Sequence, residues 1–123
     1  MTWGQDFLQR QVELQTKGDV DTLIREHYHD DAELVTFEFV KKGKDAIAEY
    51  MKVGEPAQAG QVSSIEPIAL AESDDVLIIT VIVTSERMGR FVARDAFYLR
   101  DGKVHRHIAL TLPPGKDVQS QWA

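Results

Sequence analysis

Residues 99–104 read LRDGKV, and this short stretch determines how the last two strands of the chain pair. Asp101 and Gly102 form an Asp-Gly dipeptide between two segments in which apolar and polar residues alternate. Such a dipeptide favours a two-residue hairpin turn, and the turn fixes which residues face one another across the strands. The predicted register places Leu99 opposite Val104, Phe97 opposite Arg106, and Asp95 opposite Ile108.

One face of this predicted hairpin is almost entirely apolar. Asp95 and Arg106 are the two ionisable residues on it, and as diagonal neighbours they would lie about 7 Å apart. A charge on such a face is unfavourable unless it is paired, hydrogen bonded or reached by water. The two residues are therefore either a structural ion pair or part of a polar site inside a cavity. The face comprises Phe91, Ala93, Asp95, Phe97, Leu99, Val104, Arg106, Ile108, Leu110 and Leu112.

The opposite face of the predicted hairpin has mixed polarity. It carries Arg94, Ala96, Tyr98, His105 and His107. A strand places successive side chains on alternate faces, so this set is expected on the outer, convex side of a sheet. Its tyrosine and histidines suggest a contact surface, and we predict a homodimer formed through it.

The chain changes its hydrophobic period at Val62. From there onward apolar residues recur at every second position, which predicts four consecutive strands joined by turns. Pro67 has no backbone N–H to donate, so the first of these strands is expected at a sheet edge or at a bulge.

The segment before Val62 has helical spacing and recognisable helix ends. Thr2 and Gln5 match a capping box, Gly18 is a helix stop, and Asp19 is a second N-cap. Residues 32–39, AELVTFEF, alternate like a strand, and a third helix is expected after Gly43. Helices followed by consecutive strands predict an α+β fold, in which the helices cover one face of a curved, mainly antiparallel sheet.

Composition narrows the possible partners. The chain has 123 residues, enough for one core, and we predict a single domain at 1–112 with a polar tail at 113–123. The formal charge of -6 disfavours nucleic acid and anionic membranes, because both require a basic surface. The sequence contains no cysteine and no apolar stretch typical of a signal peptide or membrane span. We therefore expect a cytoplasmic protein.

Residues 25–34, REHYHDDAEL, raise the question of a metal site, since two histidines and four acids fall within ten positions. His27 and His29 lie across the expected end of the second helix and should point in different directions. A zinc site needs third and fourth ligands at suitable spacing, and no such set is evident. The sequence predicts neither a metal nor a cofactor.

Three segments together resemble a known superfamily. They are RQVELQTKGDVDTLIREHYHDDAEL (residues 10–34), GKDAI (43–47) and DAFYLRDGKV (95–104). They are similar to the nuclear transport factor 2-like (NTF2-like) superfamily, in particular its ketosteroid isomerase-like and SnoaL-like members. The resemblance implies a cone-shaped, curved, mainly antiparallel sheet wrapped around three N-terminal helices, with a hydrophobic pocket in its concavity and a convex face often used for dimerisation.

The resemblance also implies roles for individual residues. Asp95 occupies the position of the acid that hydrogen bonds a substrate oxyanion in ketosteroid isomerases. Gln11 stands where that family has its oxyanion-binding tyrosine, and Thr36 stands where it has the proton-shuttling aspartate. Without that base, steroid isomerisation is not expected.

The function expected from these observations is that of a SnoaL-like protein with a pocket for a small apolar molecule. Asp95 would act as acid or base and Arg106 would orient it, as in an isomerase, dehydratase, cyclase or epoxide hydrolase. The alternative is a non-catalytic binding or dimerisation domain. A cavity of about 300 Å³ or more touching Asp95 favours the first, and a sealed, bidentate Asp95 ion pair favours the second. The predicted ligand contacts are Gln11, Tyr28, Thr36, Phe37, Tyr50, Phe97 and Ile108.

Overall fold

The computed structural model describes residues 1–53, 62–86 and 88–111 of the protein. Within these ranges the helices are α1 (Trp3–Lys17), α2 (Val20–His27) and α3 (Lys44–Val53). The strands are β1 (Tyr28–Val35), β2 (Val40–Lys42), β3 (Val62–Glu72), β4 (Val76–Ser85), β5 (Gly89–Arg100) and β6 (Lys103–Ala109). None of these helices is both long enough and apolar enough to cross a bilayer. The predicted tail at 113–123 lies outside the described residues, so the domain boundary stays a prediction.

The described strands form one curved sheet in the order β2-β1-β6-β5-β4-β3. Neighbouring strands run antiparallel except β1 and β6, which are parallel. The three helices pack against this sheet, and the predicted α+β fold is confirmed. Pro67 lies on the edge strand β3, where the register with β4 shifts between Pro67 and Ala69. Both consequences expected of this proline are therefore present.

Helix α1 is fixed at both ends. Thr2 and Gln5 form the predicted capping box, and Gly18 ends the helix in the left-handed region at φ 76°. At the start of α1, the Gly4 amide donates to the Glu72 carboxylate at 2.7 Å. A Cβ atom at position 4 would occupy the space of that carboxylate, so any other residue would have to displace the Glu72 side chain and weaken this contact. This contact fixes α1 to the end of β3 and holds it over the concave face.

The concave face of the sheet supplies much of the core. Leu77, Ile79, Val81 and Val83 alternate along β4 and are all buried. Full burial of each such side chain contributes roughly 1.5 to 3 kcal/mol. Ile79 pairs with Asp95 across β4 and β5, so Asp95 lies within this apolar surface.

The β5–β6 hairpin begins as predicted. Asp101 and Gly102 have positive φ angles of 53° and 78°, as a type I′ turn requires. Arg100 pairs with Lys103, and Leu99 pairs with Val104.

Beyond Val104 the predicted register is wrong, because β6 contains a bulge. His105 is an extra residue in β6, so Tyr98 pairs with Arg106, Phe97 with His107, and Asp95 with Ala109. One inserted residue exchanges the two faces of the strand that follows. The residues after the bulge therefore point to the sides opposite to those predicted.

The bulge overturns the Asp95–Arg106 pair. Arg106 points outward, is half-exposed, and lies 4.0 Å from Glu33 Oε2. His107, which was predicted on the convex face, is buried on the concave side. Ile108 pairs with Ala96 and moves to the convex face instead. The sheet thus brings a histidine, and not an arginine, to Asp95.

Candidate functional site

A cavity of about 120 Å³ lies between α1, α3 and the concave face of the sheet. Aliphatic and aromatic side chains form most of its wall, including Leu8, Val12, Met51, Ile65, Val81, Val83 and Phe91. Polar groups enter from two sides. Asp95 and His107 come from β5 and β6, whereas Gln11 and Gln15 come from α1.

The structure brings five of the predicted site residues together in the cavity wall. They are Gln11, Thr36, Tyr50, Asp95 and Phe97. The residue types expected to bind an apolar ligand with a few polar contacts are thus present around one space.

Four other predicted site residues do not line the cavity. Arg106 and Ile108 are displaced by the bulge, and Phe37 is 62% exposed in the turn after β1. Tyr28 is buried behind His107 and contacts it. Phe39, two positions after Phe37, takes the place in the wall predicted for Phe37.

Asp95, His107 and Tyr28 form a chain of hydrogen bonds. His107 Nε2 lies 2.8 Å from Asp95 Oδ1, and His107 Nδ1 lies 2.9 Å from the Tyr28 hydroxyl. The Asp95 side chain is 20% exposed. Within the described residues its second oxygen, Oδ2, has no protein partner, so it is available to a ligand.

The donors and acceptors of Asp95, His107 and Tyr28 determine what these hydrogen bonds can do. With Asp95 as a carboxylate, both of its oxygens accept, so His107 Nε2–H donates to Oδ1. The Tyr28 hydroxyl donates to Nδ1 of a neutral ring, and it accepts from Nδ1–H of a charged ring. Either protonation state of His107 therefore preserves both contacts. The arrangement can hold or release a proton beside the cavity without losing its geometry.

A second polar chain runs through α1. Gln15 Nε2 donates to Gln11 Oε1 at 3.0 Å, and Gln11 Nε2 lies 2.9 Å from His27 Nδ1. Burial lowers the pKa of His27 from 6.5 to about 4, so this ring is neutral at neutral pH. This series of hydrogen bonds therefore ends at Nδ1 of an uncharged histidine ring.

Four aromatic rings connect the hydrogen bonds around Asp95 with those around Gln11. His27 stacks on Phe7 with centroids 4.1 Å apart, and Phe7 meets the edge of Phe97 at 5.3 Å. Phe97 in turn stacks on His107 at 4.3 Å. These contacts restrain both histidine rings, because aromatic pairs favour such geometries.

The histidines of residues 25–34 point in different directions, as expected. His27 is buried, whereas His29 lies at the surface against the carbonyl of Arg100. Across residues 1–53, 62–86 and 88–111, no cluster of three or more potential ligands could hold a metal ion.

His107 and Gln15 line the pocket although neither was predicted there. Gln15 follows Gln11 by one helical turn, so a helix projection could have placed it on the same wall. The bulge in β6 turns the His107 side chain to the concave face. Strand alternation without a bulge assigns His107 to the convex face.

The cavity meets neither of the conditions expected for the two functional alternatives. Its volume of about 120 Å³ falls below the 300 Å³ expected for an enzyme pocket. Asp95, however, is bound through one oxygen and remains partly exposed. A sealed ion pair is therefore absent at Asp95 as well.

Acid should destabilise the protein through His27. Its folded pKa of about 4 lies below its ordinary value of 6.5, so the unfolded chain takes up a proton first as the pH falls. We expect this stabilisation to be complete above about pH 6.5 and to be lost towards pH 4, by about 2 kcal/mol after allowance for solvent screening.

Denaturant unfolding of the wild type and of His27→Phe at several pH values measures this contribution. The wild type should lose about 2 kcal/mol more than His27→Phe between neutral pH and about pH 4. Parallel curves for the two proteins would show that His27 titrates in the fold as it does in water.

Comparison with known proteins identifies the fold. No family model and no curated protein matches the sequence. Among solved structures, an NTF-2 like protein of unknown function from Burkholderia xenovorans aligns with a TM-score of 0.73 at 16% identity, covering 98% of this chain and 93% of its own.

Two further structures share this fold. A protein from Agrobacterium tumefaciens, provisionally assigned as an isomerase of the SnoaL-like family, aligns with a TM-score of 0.71 at 12% identity, covering 89% of this chain and 97% of its own. A protein from Sinorhizobium meliloti, provisionally assigned as a polyketide cyclase, aligns with a TM-score of 0.69 at 19% identity, covering 85% and 93%. The protein therefore has the NTF2-like fold, as its sequence resemblance predicts.

Proposed function

We propose that the protein is a SnoaL-like pocket protein that binds a compact, mainly apolar molecule and acts on it by proton transfer. The observation that carries this proposal is the Asp95 carboxylate in an apolar wall, with Oδ1 bound to His107 and Oδ2 available. In this function Oδ2 takes a proton from the ligand, while His107 orients the carboxylate. Tyr28 acts through His107 by holding its ring.

The size of the cavity limits the ligand. A cavity of about 150 Å³ accommodates benzene, so about 120 Å³ suits a single ring or a short branched chain. A steroid exceeds this volume. The supported chemistries are those of an isomerase, dehydratase, cyclase or epoxide hydrolase acting on a small substrate without a cofactor.

The names of the structural neighbours are compatible with this class of chemistry. One is provisionally an isomerase and another a polyketide cyclase. Their identities to this chain are low, so they support the fold and leave the reaction to the site itself. We also propose that the protein is cytoplasmic.

The alternative function is non-catalytic ligand binding by the same fold. The small cavity favours it, because the space leaves little room for a substrate to change shape. In that case the Asp95–His107 contact fixes the orientation of a bound molecule and no proton is transferred.

Native mass spectrometry of the purified protein tests the pocket itself. We expect a co-purified molecule of about single-ring size, released on unfolding and absent from unfolded controls. Incubation with candidate single-ring ketones and alcohols, followed by analysis of the products, then separates turnover from binding. No adduct, together with no shift of cavity resonances on titration with these compounds, would refute both functions.

We further propose that the protein forms a homodimer through the convex face of the sheet. Ile78, Val92, Tyr98 and Leu110 are each at least 39% exposed there. Arg94 follows the same alternation on β5. Exposed apolar residues grouped on one sheet face are typical of a protein interface.

Tyr98→Glu should disrupt this dimer, because each two-fold interface would lose two aromatic rings and would have to desolvate two carboxylates. We expect a folded monomer by size-exclusion chromatography with light scattering. Glu38→Gln, which changes a residue at the cavity, should leave the dimer unchanged. A wild-type protein that stays monomeric at high concentration would contradict the proposal.

A further inference from the structure

The orientation of the Gln11 side chain is fixed from two sides. Its Oε1 accepts from Gln15 Nε2, and its Nε2 lies against His27 Nδ1. An amide nitrogen donates hydrogen bonds and does not accept them, so His27 Nδ1 must accept. The ring proton of His27 is therefore on Nε2.

His27 is well suited to keep this orientation. It is the last residue of α2, is buried, and stacks on Phe7 with an interplanar angle of 15°. With His27 in this tautomer and Gln15 in its present orientation, reversal of the Gln11 amide would place Oε1 against the Nδ1 lone pair and Nε2 against the amide nitrogen of Gln15, and both contacts would be repulsive. The other consistent network reverses both amides and protonates His27 on Nδ1, so the tautomer of His27 and the direction of the Gln11 amide are set together.

One hydrogen-bond donor of Gln11 remains. The side chain of Gln11 carries two N–H bonds, and His27 uses one of them. Gln11 is 3% exposed, and within the described residues the second N–H has no protein partner. The cavity is the open space that this side chain borders.

We propose that His27 is a positioning residue that fixes the Gln11 amide with an N–H directed into the cavity, so that Gln11 selects ligands carrying an acceptor oxygen such as a carbonyl. The inference rests on the proposed function of the cavity as a ligand pocket. It adds the chemical class of the ligand and the residue that sets it.

The two polar walls of the cavity then differ in character. Asp95 Oδ2 is an acceptor on the sheet side, and the Gln11 N–H is a donor on the α1 side. A matching ligand is a compact carbonyl compound whose proton-donating group faces Asp95. A hydrocarbon of the same shape leaves the buried N–H unpaired, which disfavours its binding.

Nitrogen NMR of the histidine rings tests the positioning step without any ligand. At neutral pH the wild type should show His27 protonated on Nε2, with Nδ1 accepting a hydrogen bond. In His27→Phe, which retains a ring against Phe7, the Gln11 side-chain amide protons should exchange with water faster. Protonation of His27 on Nδ1 would overturn the proposal, because Gln11 would then present Oε1 to it.

Cyclohexanone and methylenecyclohexane test the selection step. They have nearly the same shape and differ in the C=O or C=CH₂ group. The alkene enters any apolar cavity more readily, so the informative quantity is the ratio of the two affinities, compared between proteins. We expect Gln11→Leu and His27→Phe each to lower the relative affinity for the ketone by about tenfold. His105→Gln, at the bulge and outside the cavity wall, should leave the ratio unchanged.

The outcomes separate the two levels of the proposal. An unchanged ratio in both variants, with both probes bound, would refute the role of His27 and Gln11 and leave the pocket intact. A lowered ratio in Gln11→Leu alone would refute the role of His27. Absence of binding of both probes to the wild type at millimolar concentration would contradict the pocket function on which the inference rests.

Discussion

Asp95→Asn is expected to preserve the fold and to lower turnover of the ligand by about a hundredfold or more. The asparagine Oδ1 still accepts from His107 Nε2–H, so the contact at 2.8 Å survives. Oδ2 becomes an NH₂ group, which cannot take up a proton from the ligand. Loss of a positioned general base costs roughly 10²- to 10⁴-fold in rate.

The stability of this variant distinguishes the catalytic from the structural function of Asp95. Arg106 points outward, so Asp95→Asn leaves no buried guanidinium without a partner. We expect the free energy of unfolding to change by less than about 1 kcal/mol. Arg106→Met is the matched control, and it should alter neither turnover nor stability.

A different outcome would favour the non-catalytic alternative. If His107 is charged and bound to Asp95 as an ion pair, the asparagine variant should lose roughly 3 to 5 kcal/mol. The double variant with His107→Asn should then recover much of that loss. Such a cycle, combined with unchanged turnover in Asp95→Asn, would refute proton transfer by Asp95.

The elements with local sequence signals could be predicted. The capping box at Thr2, the left-handed Gly18 and the Asp101-Gly102 turn each need particular residues at particular positions. Pro67 marked the edge strand by its missing donor. These signals depend on one to four neighbouring residues, which is why they hold without knowledge of the fold.

The inward face of β6 could not be predicted, because a bulge depends on how two strands fit together. Arg106 interrupts the alternation next to His105, but a polar residue on an apolar face is equally compatible with an ion pair, which was the prediction, and with a bulge. The single insertion nevertheless exchanges Arg106 and His107, and with them the partner of Asp95. The chemistry of the site changed from an ion pair to a carboxylate–imidazole contact through one residue of register.

The error at Phe37 has a similar physical origin. The alternating stretch that follows Ala32 predicted a strand through residue 39, but β1 ends at Val35. The Thr36 hydroxyl accepts from the backbone amides of Glu38 and Phe39, which forms a turn. Leu34 faces inward, so an unbroken strand would point both Phe37 and Phe39 outward. The turn brings Phe39 into the cavity wall and leaves Phe37 exposed. Side-chain competition for backbone donors is local but hard to weigh against a strand pattern.

Phe97→Ala should destabilise the protein by about 3 to 5 kcal/mol, whereas Phe37→Ala should have an effect within about 0.5 kcal/mol. Phe97 is buried, contacts both Phe7 and His107, and joins the core to the cavity. Its removal deletes a large apolar side chain and leaves a hole between the helices and the sheet. Phe37 is mostly in water, so its truncation exposes little new surface.

Denaturant unfolding of both variants measures the difference, and the cavity should respond in the same order. Without the Phe97 ring, His107 loses its stacking partner at 4.3 Å, so its contact with Asp95 should become less well ordered. Ligand affinity should therefore fall in Phe97→Ala even at temperatures where that variant is folded, and it should be unchanged in Phe37→Ala. Equal losses of stability in the two variants would contradict the assignment of Phe97 to the wall and Phe37 to the surface.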